Sequence, residues 1–216
     1  GSLVRSQEGP LLMKKNLLII FFSIILFSLQ GQSFKGGVRL GFSSSQISGD
    51  ELAGFNKFGA YTGIFTNFPI SKNMQWKIQA ELNFIMKGSS MFLRANADNE
   101  VPNQYILTML YTETPFLVKY SPKPWVELEL GPAINFLFYS HEKDSNGKIP
   151  ARQRFRIFEL AGIGGISFIV KENFGINLRY SNSLLPVRIP DGNHSQYRMR
   201  YKQFNSVLTC SLFYQF

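Results

Sequence analysis

From residue 36 to the end, the chain repeats one device: apolar and polar side chains alternate with period two, segment after segment. In 74–87 one face reads Trp76, Ile78, Ala80, Leu82, Phe84, Met86, and the other Lys77, Gln79, Glu81, Asn83. In 123–139 Val126, Leu128, Leu130, Pro132, Ile134, Phe136 and Phe138 alternate with a face that includes Glu127, Glu129, Gly131 and Asn135. In 173–183 Phe174, Ile176, Leu178 and Tyr180 alternate with Gly175, Asn177 and Arg179, and the last segment sets Leu208, Cys210, Leu212, Tyr214 and Phe216 on one face. Successive side chains of a strand point to opposite sides, so each segment is a strand with one face against something apolar.

Eight strands are predicted: 36–43, 57–68, 74–87, 104–120, 123–139, 154–170, 173–183 and 199–216. Their connections alternate in length. Pro69 to Asn73, Ser121-Pro122 and Lys171-Glu172 read as tight turns, whereas 44–56, 88–103, 140–153 and 184–198 are long and polar. The four Asp residues, Asp50, Asp98, Asp144 and Asp191, fall one in each long loop, as turn-seeking residues should. Short turns at one end and long loops at the other are the arrangement of a transmembrane barrel. The expected fold is therefore all-β, an eight-stranded antiparallel up-and-down transmembrane β-barrel.

The first residues supply the address. Met13-Lys14-Lys15-Asn16 precedes an apolar run from Leu17 to Leu29. A basic start followed by a short apolar stretch is a signal-peptide pattern, and the run is shorter than the ~20 residues of a spanning helix. The expected organisation is 1–12 as a cloning remnant or misplaced start, 13–32 as signal peptide, and 33–216 as the barrel. Removal of 1–32 takes away Arg5, Lys14, Lys15 and Glu8, so the formal charge falls from +9 to +7. A basic balance alone permits nucleic-acid binding, but no motif of that kind occurs, and no nucleic-acid partner is expected. The whole chain has 44% hydrophobic residues and a mean hydropathy of −0.05, and after residue 32 it offers no further apolar run long enough for a helix. A membrane role would have to be a barrel's.

Which face points outward decides between a membrane barrel and a soluble one. The apolar stripes run five to seven side chains per strand, close to the thickness of a hydrocarbon layer. The polar faces carry Arg39, Lys77, Lys119 and Arg179 against Glu81, Glu113, Glu127, Glu129 and Glu159. Such a balance suits a lumen in which charges neutralise one another, with pairs such as Lys77 with Glu113 or Glu159 with Arg179. It also suits a solvated surface. Gly37, Gly41, Gly59, Gly63, Gly131, Gly165 and Gly175 share this polar face, where small residues let a narrow barrel close. In 104–120 Tyr105, Leu107 and Met109 share the parity of Glu113 and Lys119, which suggests a bulge at Pro115 or a strand end above the membrane. Phe68, Trp76, Tyr120, Trp125, Phe168, Tyr214 and Phe216 lie near strand ends, as an interfacial girdle would.

The final stretch, Leu208-Thr-Cys-Ser-Leu-Phe-Tyr-Gln-Phe216, resembles the C-terminal signal of bacterial outer-membrane barrels. That resemblance implies that Leu212, Tyr214 and Phe216 are read by the barrel-assembly machinery. The wider chain resembles the PorT-like outer-membrane β-barrel family of Bacteroidota. The matching stretches are Gly37-Val-Arg-Leu-Gly-Phe42, Thr114-Pro-Phe-Leu-Val-Lys-Tyr120, Glu127-Leu-Glu-Leu-Gly-Pro132 and Phe174-Gly-Ile-Asn-Leu-Arg-Tyr180. It implies residence in the outer membrane of a Gram-negative bacterium and, for some members, a link to secretion and gliding. It brings no catalytic residues.

The residues themselves offer little chemistry. His141 and His194 stand beside Ser140 and Ser195 in expected outer loops, but neighbours in sequence are a weak sign of a catalytic pair. Asp144-Ser-Asn-Gly147 lacks the later ligands of a calcium loop, and Gly162-Ile-Gly-Gly165 lies within a strand, so no metal or cofactor is expected. Arg152, Arg154, Arg156, Arg198, Arg200 and Lys202 cluster where two strands meet long loops. From Arg154 onward they share the lipid-facing parity, so they could hold lipopolysaccharide phosphates at the rim or serve as a solvated edge. The expected function is a non-enzymatic structural or interaction role, with an envelope or secretion partner. A soluble lipocalin-like barrel and a lipid A-modifying enzyme are the alternatives.

Overall fold

The computed structural model describes residues 34–48, 54–71, 75–92, 104–144, 147–148, 155–188 and 202–216. Among the described residues, alternating, β-branched and aromatic-rich segments form nine strands: β1 (Lys35–Ser48), β2 (Lys57–Pro69), β3 (Trp76–Phe92), β4 (Gln104–Lys123), β5 (Val126–Asp144), β6 (Gly147–Lys148), β7 (Phe158–Lys171), β8 (Phe174–Ser183) and β9 (Phe204–Gln215). β6 is a two-residue arm hydrogen-bonded to the end of β5. The other eight pair antiparallel, each with its neighbours in sequence, and β7 follows β5 directly around the wall. β9 then pairs with β1 from Gly37↔Gln215 to Ser48↔Phe204, and the ladder closes. The result is a closed, eight-stranded, antiparallel barrel.

Burial follows the alternation. Val38, Leu40 and Phe42 of β1 face outward and are exposed, whereas Arg39 and Ser43 point inward and are buried. On β5 the outward Leu128, Leu130, Phe136 and Phe138 alternate with the buried Glu127, Glu129 and Asn135. From Leu128 to Phe138, at about 3.3 Å per residue and a tilt of about 40°, the apolar belt rises about 25 Å, the height of a hydrocarbon layer. A soluble barrel of lipocalin type would have its apolar face inside. Here that face is outside and the charges are in.

Aromatic rings gather at the short-turn end. Trp76 and Tyr120 lie with ring centroids 4.6 Å apart, Phe34 and Phe68 5.3 Å apart, and the Lys123 ammonium sits 5.6 Å from the Trp125 ring. The turn expected at Ser121-Pro122 lies instead at Pro124-Trp125, because β4 runs on to Lys123. Strands also extend into stretches read as loops: β1 to Ser48, β3 to Phe92, and β5 to Asp144.

The bulge near the loop end is not at Pro115, which keeps its register opposite Ala133. It lies on β5, where Leu110 pairs with Tyr139 but Tyr111 with Leu137, leaving Phe138 as the extra residue. One extra residue reverses the side-chain parity beyond it, so Glu142 turns inward. Tyr111, Leu107 and Met109 stay inward as well. Together with Ile47, Tyr61, Ile85, Phe155 and Val207 they form an apolar plug in the loop-side half of the lumen. The parity of Leu107 and Met109 thus marks an apolar inner layer, not a break in the strand.

Inward glycines make the closure possible. A Cβ on Gly41 would stand 2.1 Å from the Cys210 carbonyl oxygen and 2.5 Å from Ser211 Cα, both backbone atoms of the closing strand. Gly41→Val is therefore expected to lower severalfold the fraction of protein that refolds to a heat-modifiable species in detergent. Unheated gel mobility is the measurement, with Gly164→Val, whose nearest neighbour is 3.8 Å away, expected to refold normally.

Candidate functional site

The interior is the most distinctive chemical feature, because a barrel of eight strands has room inside for little more than side chains. Charges placed there lose their water and are tolerable only in pairs with their remaining hydrogen-bonding positions filled. The nine charged residues expected on the inner face all lie there, and Lys77 alone among them is more than marginally exposed. The structure adds Lys87, Glu142 and Arg188, all buried. Six cations and six carboxylates then form the ion pairs of the described lumen, so the charges cancel.

They are stacked in tiers along the barrel. Nearest the short turns, Glu127 accepts from Lys77 at 2.5 Å and from Lys119 at 2.7 Å. Lys119 also donates to Gln79 at 3.1 Å and lies 3.7 Å from Glu129. Above them Arg179 spans two carboxylates. Its two terminal nitrogens reach both oxygens of Glu81, at 2.7 and 2.8 Å. Its Nε pairs with Glu129, and it donates to the Tyr61 hydroxyl at 2.9 Å. Arg39 donates to Glu81 at 2.9 Å, and its guanidinium lies 5.2 Å from the Phe65 ring centroid. A planar guanidinium with five donors can hold both oxygens of one carboxylate while reaching a second, whereas an ammonium joins two carboxylates only as a point charge.

The next tier centres on Lys87, whose side chain is fully buried. Its ammonium lies 3.1 Å from Glu159 and 3.5 Å from Glu113, with the Tyr111 ring 4.9 Å away. Asn135 and Asn205 donate to Glu159 at 3.0 and 2.7 Å. At the loop end Arg188 donates to Glu142 at 2.7 Å and lies over the Phe155 ring at 4.5 Å, while Tyr105 donates to Glu142 at 3.1 Å.

Neighbouring strands are linked by Lys87–Glu113 and Lys119–Glu129, but the two expected pairs, Lys77 with Glu113 and Glu159 with Arg179, do not form. Lys77 meets Glu127, not Glu113, and Arg179 meets Glu81 and Glu129, not Glu159. The reason is reach. Long side chains in a narrow tube can cross the lumen as well as run along the wall, so Arg179 on β8 meets Glu81 on β3. Lys87, the last residue of the expected strand 74–87, was legible as the continuation of the Lys77, Glu81 parity. Glu142 was not, because the bulge reverses its face.

Of the proposed rim cations, Arg156 and Lys202 are exposed, whereas Arg152, Arg154, Arg198 and Arg200 lie outside the described residues. Leu212, Tyr214 and Phe216 line the outer face of β9 at the short-turn end, and Phe216 donates its backbone N–H to the Gly36 carbonyl at 2.9 Å. His141 stacks on Tyr139 with ring centroids 6.4 Å apart, and His194 lies outside the described residues.

Removing one partner of a buried pair strands the other. Glu81→Gln withdraws the carboxylate that holds Arg39 and one of the two that hold Arg179, with an expected cost of about 3–5 kcal/mol. Lys77→Gln, at the half-open lower end with Glu127 still held by Lys119, is expected to cost much less. Urea titration of the refolded barrel in lipid vesicles, read as the folded band on unheated gels, measures both.

Comparison with known proteins places this geometry. The model of a family described as outer membrane protein beta-barrel domain matches residues 30–187. Among solved structures, the chain is similar to the attachment invasion locus protein Ail of Yersinia pestis in complex with the heparin analogue sucrose octasulfate. Identity is 13%, TM-score 0.49, with 85% of this chain and 99% of that one covered. It is also similar to a major outer membrane protein from Thermus thermophilus (12%, TM-score 0.49, 85% and 100% covered). A third is Neisserial surface protein A (10%, TM-score 0.47, 87% and 100% covered). No curated protein matches the chain.

Proposed function

Because the chain belongs to the outer membrane protein beta-barrel domain family, and so resides in the outer membrane, we propose that it works without catalysis, as a rigid membrane-embedded scaffold that presents its loops and rim to envelope components. The observation that carries this reading is the lumen. Its charges are paired in successive tiers and its loop-side half is packed with apolar side chains, which leaves the ends of the barrel as working surfaces. An interior of this kind serves stiffness better than transport.

Finer assignments belong to the same proposal. Residues 13–32 direct export, and Leu212, Tyr214 and Phe216 present the final strand to the barrel-assembly machinery. The PorT-like stretches, such as Glu127-Leu-Glu-Leu-Gly-Pro132, favour an envelope or secretion partner in a Bacteroidota cell. Arg152, Arg154, Arg156, Arg198, Arg200 and Lys202 form a cationic rim for lipopolysaccharide phosphates, since guanidinium groups at that height bind phosphate through paired N–H donors. The exposed positions of Arg156 and Lys202 support this.

Planar-bilayer recordings test the central claim. Purified barrel is expected to give no stable conductance. Reproducible single-channel steps that vanish in a Glu127→Gln, Glu129→Gln variant would establish a hydrated, charge-lined pore in its place. For the rim, Arg154, Arg156, Arg198 and Arg200 replaced by Ser are expected to reduce severalfold the lipopolysaccharide that co-purifies per barrel, and equal amounts would reject the rim.

A further inference from the structure

Two kinds of glycine stand on the strands of this barrel besides those at its ends and turns. On the inner face a Cβ would collide: on Gly63 it would lie 2.0 Å from the Asn83 side-chain oxygen, and on Gly131 2.0 Å from the Phe116 carbonyl oxygen. Gly162 and Gly164 of β7 face outward. A Cβ there would meet nothing nearer than Leu184 at 3.7 Å and Leu130 at 3.8 Å, which is ordinary contact. Packing within the chain does not call for glycine at these positions, and the missing side chain at Gly164 leaves a hollow in the lipid face.

The hollow is a groove of about 440 Å³ that crosses four strands. Gly164, Tyr180, Leu208 and Ser44 are successive cross-strand partners along one side of it, and Ile166, Leu178, Cys210 and Phe42 along the other. Arg179 also lines it, but its guanidinium is turned inward to Glu81 and Glu129. The next cross-strand row towards the loops is polar: Asn182, Gln46 and, buried between them, Ser206. Asn182 donates to the Tyr180 hydroxyl at 3.1 Å and to Ser206 at 3.2 Å. The Tyr180 hydroxyl, an acceptor in that bond, keeps its own hydrogen for another partner.

We propose that this groove is a lipid-binding site that seats one acyl chain of an outer-membrane lipid, with the lipid's ester or amide linkage at Tyr180 and Asn182. The groove is continuous with the apolar belt, so in the outer membrane its neighbours are lipid chains. Its lining is mostly apolar, and its loop-side edge offers the Tyr180 hydroxyl hydrogen as donor and the Asn182 amide oxygen as acceptor, both Asn182 N–H groups being held by Tyr180 and Ser206. Across the groove, from its turn-side wall to the row beyond its loop-side wall, polarity therefore changes from hydrocarbon to groups that can meet a carbonyl linkage. A chain resting in the hollow fills volume that a convex strand face would leave to mobile annular lipid. The site rests on the outer-membrane location and is separate from the cationic rim, so either can fail without the other.

Native mass spectrometry of the full barrel, with dimyristoyl phosphatidylethanolamine as probe, tests the site. The expected result is one lipid per barrel, surviving collision energies that strip detergent. Gly164→Leu fills the hollow from its floor, and occupancy is expected to fall about tenfold as chain methylenes lose their contacts. Cys210→Leu, which narrows the opposite wall, is a second variant should the first refold poorly, and it is expected to weaken binding in the same direction. Ala80→Leu, on the lipid face of β3 away from the groove, is expected to bind as the wild type does. Equal occupancy in the folded Gly164→Leu and Cys210→Leu proteins would overturn the proposal. So would dimers in native membranes that cross-link through Cys210, since the groove would then belong to a second copy of the chain.

Discussion

Closure of the hydrogen-bonded ladder between β1 and β9 is the constraint from which the rest of the molecule follows. In hydrocarbon an unpaired backbone amide has no water to turn to, so a strand sheet can cross a membrane only without edges. The Gly37↔Gln215 to Ser48↔Phe204 register removes the last edge. Closing at eight strands then fixes the radius, and the radius fixes what can be inside. Glycine at position 41 follows, because the closing strand's backbone passes where its Cβ would be.

The narrow lumen turns charge into a problem of neighbours. Each buried carboxylate has a cation within reach, and arginine is used where two carboxylates must be held together, as by Arg179 between Glu81 and Glu129. Lysine serves where two carboxylates flank a single point, as Lys87 between Glu113 and Glu159. Apolar side chains of the same volume could be as stabilising as such pairs. What the tiers add is specificity: a strand slipped by one residue would turn its charges to lipid and its leucines to the lumen. The apolar plug around Leu107, Met109 and Phe155 shows that the interior is not uniformly polar. It is filled, by whichever chemistry each tier can satisfy.

The outer face obeys the opposite rule. It carries Leu, Ile, Phe and aromatic rings, with no internal partner required of any of them, so small residues there are free of the packing demands felt inside. That difference separates Gly162 and Gly164 from Gly41, Gly63 and Gly131. Gly164 shapes a surface for lipid; the inner three permit the wall to close.

The sequence by itself determined the fold class, the strand number, and which face of nearly every strand meets lipid. A period-two pattern is local, and a membrane barrel imposes it on each strand separately. The inner glycines and the nine charges placed inside were legible for the same reason. Partner choice was not legible, because a tube brings strands together across its diameter, and Arg179 and Glu81 are distant along both chain and wall. Glu142 was hidden by one extra residue, Phe138, which reverses parity without any mark in the pattern. The apolar plug and the outer groove are likewise properties of the closed wall. Both depend on how residues of several strands meet at one height, and only the register of the finished barrel decides that.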